Sequence, residues 1–154
     1  MNIGSTAFAD GGMIPRRYTG FGEDVSPSFI ITGAPKGTVS FAIIMDDLDV
    51  PFVKRFNHWL LWNIPVTDII PEGLPHGEVI HEPFSALQGA AWGMHRYRGP
   101  KPPFFIRNTH RYVFTLYALD RKLTIPGSSD KEALLCAMKG HILDEAQMTG
   151  RFGR

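Results

Sequence analysis

The chain contains a single cysteine, Cys136. An internal disulfide is therefore excluded, and the composition fits a reducing compartment. Long apolar runs are missing as well. Runs such as Phe41 to Met45 and the neighbourhood of Ile30 and Ile31 are far short of the roughly 20 residues a membrane-spanning helix needs. Met1 to Asp10 has no basic start followed by an apolar stretch, so a secretory signal is not expected and the reading is cytoplasmic. No lipid-anchoring motif or basic amphipathic helix is present, so stable membrane anchoring is not expected. No charge of one sign dominates. The formal net charge is +1, which gives the molecule as a whole no reason to bind a polyanion.

What remains is an ordinary globular composition in 154 residues, enough for a single domain over 1–154 with a real core. Twelve prolines and sixteen glycines are scattered rather than clustered, which suits many turns between short strands. Strand patterns run over Thr38–Met45, His58–Ile64 and Tyr112–Leu119, with shorter ones at Ser28–Thr32 and Glu78–Ile80. Tyr112–Leu119 is apolar on both alternating faces, as a strand covered from two sides must be. The long segment Pro83–Thr109 reads as aperiodic connection. One helix is expected, opened by a capping box from Ser129 to Glu132 and continued by Leu134, Met138 and Ile142, with Leu135 on the same face. Cys136 falls inside it as a packing residue. Strands followed by a late helix predict a mainly β fold, a sandwich with a helix across one side.

The chemistry-bearing residues gather at strand ends. Asp46, Asp47 and Asp49 follow a buried strand, and three carboxylates so close together are expected at a strand end, where water or partners can reach them. In an extended chain Asp47 and Asp49 point to the same side. His58 and His110 each start an apolar strand. Converging on one rim with the aspartates, the imidazoles would be held in one tautomer by a carboxylate. From Pro83 to Leu119 there is no Asp or Glu, while Arg96, Arg98, Lys101, Arg107 and Arg111 contribute +5. This marks a positive face. No nucleic-acid-binding motif accompanies it, so nucleic acid is not expected as a partner.

Taken in order along the chain, these segments resemble the phosphatidylethanolamine-binding proteins, in their bacterial and archaeal Raf-kinase-inhibitor-like branch. The resemblance is carried by Ile14-Pro15, Arg17–Gly20 and Gly22–Pro27, then by Gly33–Thr38 and Ser40-Phe41-Ala42. Asp47-Leu48-Asp49-Val50-Pro51 is similar to the family's D-P-D-A-P signature, and His58-Trp59 through Pro65 to its histidine-bearing strand. Gly99–Pro103, His110-Arg111-Tyr112 and Tyr117–Asp120 follow in the expected order. The resemblance implies two antiparallel sheets with a C-terminal helical segment and a small pocket for phosphate-like head groups. Carried over by position, that pocket is lined by Asp47, Asp49, Pro51, His58, Pro102, Pro103, His110 and Tyr112, with Phe152 flanking its mouth. Leu48 departs from the family's proline, and Phe104–Thr109 is bulkier and longer than the usual lead into H-R-Y. The bulky Phe104, Phe105 and Ile106 either narrow the pocket or form an exposed patch. Gly93-Met94-His95-Arg96 also spells G-x-H-R, but only His110-Arg111 follows the proline pair and opens a long strand, so His95 is given a surface role.

Three functions compete at this level. The first is binding of a small anionic or zwitterionic ligand, without cofactor, metal or catalysis. The second, implied by the resemblance alone, is inhibition of a kinase or protease by docking. The third is phosphoester hydrolysis, for which no G-x-S-x-G nucleophile or close His pairing is present. A homodimer is left open.

Overall fold

Six strands, among them the one that ends at Asp46 and the two that carry His58 and His110, build the main sheet of the molecule. The computed structural model describes all 154 residues. Its strands are β1 (Asn2–Gly4), β2 (Phe29–Thr32), β3 (Ser40–Asp47), β4 (Phe56–Pro65), β5 (Ile69–Ile70), β6 (Val79–Ile80), β7 (Ala86–Gln88), β8 (His110–Leu119) and β9 (Ile142–Phe152), with the single helix α1 (Lys131–Met138) before β9. A three-stranded sheet has the order β1-β2-β5, and a six-stranded sheet the order β6-β7-β4-β3-β8-β9. Every strand pair in both sheets is antiparallel.

The centre of the large sheet is covered on both faces, which explains its continuous apolar sequence. Every residue of β3 is buried. On one face Phe41, Ile43 and Met45 join Trp59, Leu61, Phe114 and Leu116 against Phe29, Ile31 and Ile70 of the small sheet. On the other, Ala42, Ile44, Leu60 and Trp62 pack against Leu134 and Met138 of α1. The architecture is thus a β-sandwich with a helix on the outer face of its larger sheet.

The C-terminal part differs from the sequence reading. Asp130, not Ser129, caps α1, its side chain accepting the Ala133 N–H at 3.0 Å, while Ser129 Oγ donates to the Pro126 carbonyl. The helix ends after two turns. Gly140 adopts φ +80°, a left-handed conformation that glycine enters without Cβ strain. Ile142 therefore opens β9 instead of extending the helix, and Leu135 and Cys136 are exposed rather than packed. β9 pairs with β8 from Leu119↔Ile142 to His110↔Phe152. It hides in the sequence because Asp144-Glu145-Ala146-Gln147 is an edge segment, solvated on one face, with helix-favouring residues. β7 falls inside the stretch read as aperiodic. It is held by Gln88, fully buried, which accepts the Trp59 indole N–H at 2.9 Å and donates to the Pro75 and Gly77 carbonyls.

Candidate functional site

The strand-end aspartates separate by the alternation of β3. Asp46 faces the helix side, where Lys131 Nζ lies 2.7 Å and an Arg55 guanidinium nitrogen 3.7 Å from its Oδ2. Asp47 faces the sandwich side. Both are buried, and at this strand end it is partners rather than water that reach them. Burial is tolerable because each carboxylate has a cationic or N–H partner supplied from another element. Asp47 Oδ2 accepts the His110 Nδ1–H at 2.7 Å, and its Oδ1 accepts the Asp49 N–H at 2.8 Å.

That second bond turns the chain and sends Asp49 elsewhere. Leu48 N–H still bonds the Arg111 carbonyl, extending the β3–β8 ladder by one residue. Asp49 then meets Arg111, on the side of β8 opposite to His110, and accepts its backbone N–H, Nε and terminal nitrogen at 2.8–2.9 Å. The Arg111 hydrogen bonds hold the Asp49 carboxyl below the usual carboxylate range.

His58 enters from β4. A carbonyl oxygen only accepts, so the 2.8 Å contact to the Arg98 carbonyl places the His58 proton on Nδ1. Burial lowers the His58 pKa below the ordinary imidazole value and favours the neutral ring. Tyr112 separates the histidines, edge-on to His58 at 5.4 Å and stacked with His110 at 6.3 Å between centroids. Burial, followed by the nearby Asp47 carboxylate, holds its phenol protonated. Both imidazoles thus carry a hydrogen on Nδ1, and the neutral His58 ring keeps a lone pair on Nε2. His110 Nε2 is buried and has no hydrogen-bond partner.

These groups floor a cavity of about 250 Å³, a size suited to a small head group. Six of the eight residues expected there, Asp47, His58, Pro102, Pro103, His110 and Tyr112, line it. Asp49 and Pro51 do not, because the Asp47 turn carries them away. Val50, Phe56 and Trp92 form an unforeseen apolar wall together with Ile106, for which narrowing of the pocket is one of the two expectations, and Arg98 and Lys101 form an unforeseen cationic rim. Their sequence signal was the acid-free stretch from Pro83 to Leu119, read as a positive face but not assigned to a pocket.

The rim is held by the N-terminal segment. Asp24 accepts the Gly99 N–H at 2.8 Å and an Arg96 N–H at 3.2 Å, and the Tyr97 hydroxyl donates to the Tyr18 carbonyl at 2.7 Å. Arg111 and Arg96 thereby have carboxylate partners, whereas Arg98 and Lys101 have none. The Arg98 guanidinium carbon sits 3.1 Å from the Trp92 ring centroid, a cation–π contact. His95 lies off the pocket, its Nδ1 donating to the Gln88 carbonyl at 2.8 Å. Phe152 does not reach the mouth. It stacks on Phe21 beside a separate concavity that also holds Arg16 and Arg154.

The order of the chain's segments and the fold have counterparts among known proteins. The family model described as phosphatidylethanolamine-binding protein matches residues 4–153. The chain belongs to the phosphatidylethanolamine-binding protein family. A UPF0098 protein of Methanothermobacter thermautotrophicus is 40% identical over 161 residues, covering 100% of this chain and 99% of that one. A UPF0098 protein of Archaeoglobus fulgidus is 38% identical over 149 residues, and there the match covers 97% of this chain but only half the length of that relative. Among solved structures, a phosphatidylethanolamine-binding protein homolog from Chlamydia trachomatis superposes with a TM-score of 0.87 at 33% identity, covering 99% of this chain and 97% of the other. An Escherichia coli member of the mammalian family superposes with a TM-score of 0.88 at 25% identity, with 99% and 98% coverage. Membership in the phosphatidylethanolamine-binding proteins accounts for the two antiparallel sheets. No helix of the chain is long and apolar enough to cross a membrane.

Proposed function

We propose that the pocket is a non-catalytic binding site for a small ligand with a phosphate-like head group, anionic or zwitterionic. The observation that carries this reading is one concavity with opposed chemistry. Two imidazoles and a buried carboxylate form its floor, and two cations without carboxylate partners, Arg98 and Lys101, form its rim. A phosphate would take N–H donors from the rim, where apolar walls strengthen charge-assisted hydrogen bonds. The floor, where the His58 Nε2 is left as an acceptor, suits an ammonium or hydroxyl group of the same ligand. Once protonated, His58 would instead donate Nε2–H to the anion.

The lining supports binding over hydrolysis, since it includes no serine, threonine or cysteine and Cys136 lies on α1. The reading is tested by mass spectrometry of small molecules retained by the purified protein, with a parallel calorimetric titration by phosphate and phosphoethanolamine. A retained or titrated phosphate compound that is lost in His110→Ala and weakened in Arg98→Gln is the expected result. Binding unaffected by both substitutions, or pocket-dependent turnover of phosphate esters, overturns it.

A further inference from the structure

A second concavity, of about 330 Å³, is lined by Arg16, Phe21, Phe152, Gly153 and Arg154. Two segments far apart in sequence build it, and the backbone fixes both. The β8–β9 ladder sets Phe152 opposite His110, and the Phe152 ring packs against the edge of the main core. Gly153 lies so close to β8 that a Cβ there would stand 2.8 Å from the Thr109 hydroxyl. Phe21 follows the short 3₁₀ turn Arg16–Tyr18. The Thr19 N–H and hydroxyl close that turn on the Arg16 carbonyl at 3.1 and 2.8 Å, and the Gly22 N–H returns to the Thr19 carbonyl at 3.0 Å. A Cβ at Gly22 would overlap the Arg16 carbonyl oxygen, so the chain folds back beside Arg16 only because residue 22 has no side chain.

The charges of this turn are unevenly satisfied. Arg17 pairs with both Glu23 and Glu72, each at 3.2 Å. Arg16 has no carboxylate partner, and neither has Arg154. Both guanidiniums nevertheless converge on one ring, their central carbons 5.9 Å and 5.0 Å from the Phe21 centroid. Phe152 stacks on the same ring at 6.0 Å and 25°. Two like charges drawn to one ring repel each other, and an anion between them reverses the sign of that interaction. A carboxylate suits the place, because a guanidinium fork meets it in one plane through two N–H bonds. The two half-buried phenyl rings add an apolar face that a bare inorganic anion would leave wet and a flat aromatic group would cover.

We propose that this concavity is a second binding site, one for a small aromatic carboxylate. The ring of the ligand extends the Phe21–Phe152 stack, and its carboxylate bridges Arg16 and Arg154. The site shares no lining residue with the histidine pocket, so it does not depend on what that pocket holds.

The probe is phenylacetate, titrated by calorimetry and by ¹H–¹⁵N chemical shifts against three analogues that each change one feature. Cyclohexylacetate keeps the charge without the aromatic ring, and phenylacetamide keeps the ring without the charge. Phenyl phosphate exchanges the planar carboxylate for a tetrahedral anion. Phenylacetate is expected to bind best, with shifts at the Phe21 and Gly153 amides. Arg16→Gln and Arg154→Gln change exposed side chains and should keep the melting temperature. Each should weaken phenylacetate binding about fivefold, the upper range for a partly solvated ion pair, and the two together at least about tenfold. Arg98→Gln should leave it unchanged. Absence of phenylacetate binding, equal binding of cyclohexylacetate or phenylacetamide, or tighter binding of phenyl phosphate overturns the proposal. So does binding that survives the double substitution, or that is lost in Arg98→Gln, since the acid would then occupy the histidine pocket.

Discussion

Replacing Asp47 by asparagine changes one oxygen for one nitrogen at the most constrained point of the site. In the native protein Asp47 is 2% exposed and accepts two hydrogen bonds, from His110 Nδ1 and from the Asp49 backbone. An asparagine can keep the Asp49 bond with its carbonyl oxygen, but its NH₂ then faces His110. The imidazole must respond by accepting at Nδ1 and carrying its hydrogen on Nε2, an atom that is buried without a partner. The variant thus loses a charge-assisted hydrogen bond, worth about 1.5–3 kcal/mol, and buries an unpaired N–H. A net loss of about 2 kcal/mol follows, which for a chain of this size lowers Tm by about 4–8 °C. Two assays read the effect. Thermal unfolding gives the stability, and ¹⁵N chemical shifts of the His110 ring report which nitrogen is protonated. Phosphate should also raise the Tm of Asp47→Asn more than that of wild type near neutral pH, because the pocket floor then carries one negative charge fewer. An unchanged Tm together with a His110 hydrogen still on Nδ1 would refute the reasoning. It would mean that the Asp47–His110 bond neither stabilises the strand end nor sets the tautomer.

Three further outcomes are expected. His58 has a folded pKa depressed below 6.5 by burial. Between that depressed value and 6.5 the unfolded chain holds more protons, so acidification through this window lowers stability. His58→Gln should flatten that slope in pH-dependent denaturation, and phosphate affinity should rise as pH falls to the depressed His58 value and below it. Gly99→Ala would place a Cβ 2.2 Å from the Tyr18 carbonyl oxygen and 2.7 Å from Asp24 Oδ1. It should cost about 1–3 kcal/mol in urea unfolding and weaken phosphate binding by displacing Arg98. Gln88→Leu would strand the Trp59 indole N–H and two backbone carbonyls. At about 1–3 kcal/mol per unsatisfied group the loss should be at least about 3 kcal/mol, a Tm decrease of roughly 6–12 °C by calorimetry.

The sequence by itself determined the central strands, because two-sided burial leaves an unmistakable apolar run in β3, β4 and β8. It also told the two His-Arg pairs apart, since His110 alone opens a long strand after the proline pair, while His95 lies beside β7, bonded to the Gln88 carbonyl. Only the tertiary structure decided the fate of the carboxylates. Whether Asp46 and Asp47 are buried depends on Lys131 and His110, which lie 85 and 63 residues away in sequence. The departure of Asp49 depends on a backbone hydrogen bond inside its own turn. β9 was hidden for the same reason: an edge strand is defined by the neighbour it pairs with, and its polar, helix-favouring residues carry no trace of β8. The cationic rim was visible as charge but not as a place, because the segment near Asp24 that fixes the Arg98 loop is distant in sequence and joined to it only by hydrogen bonds.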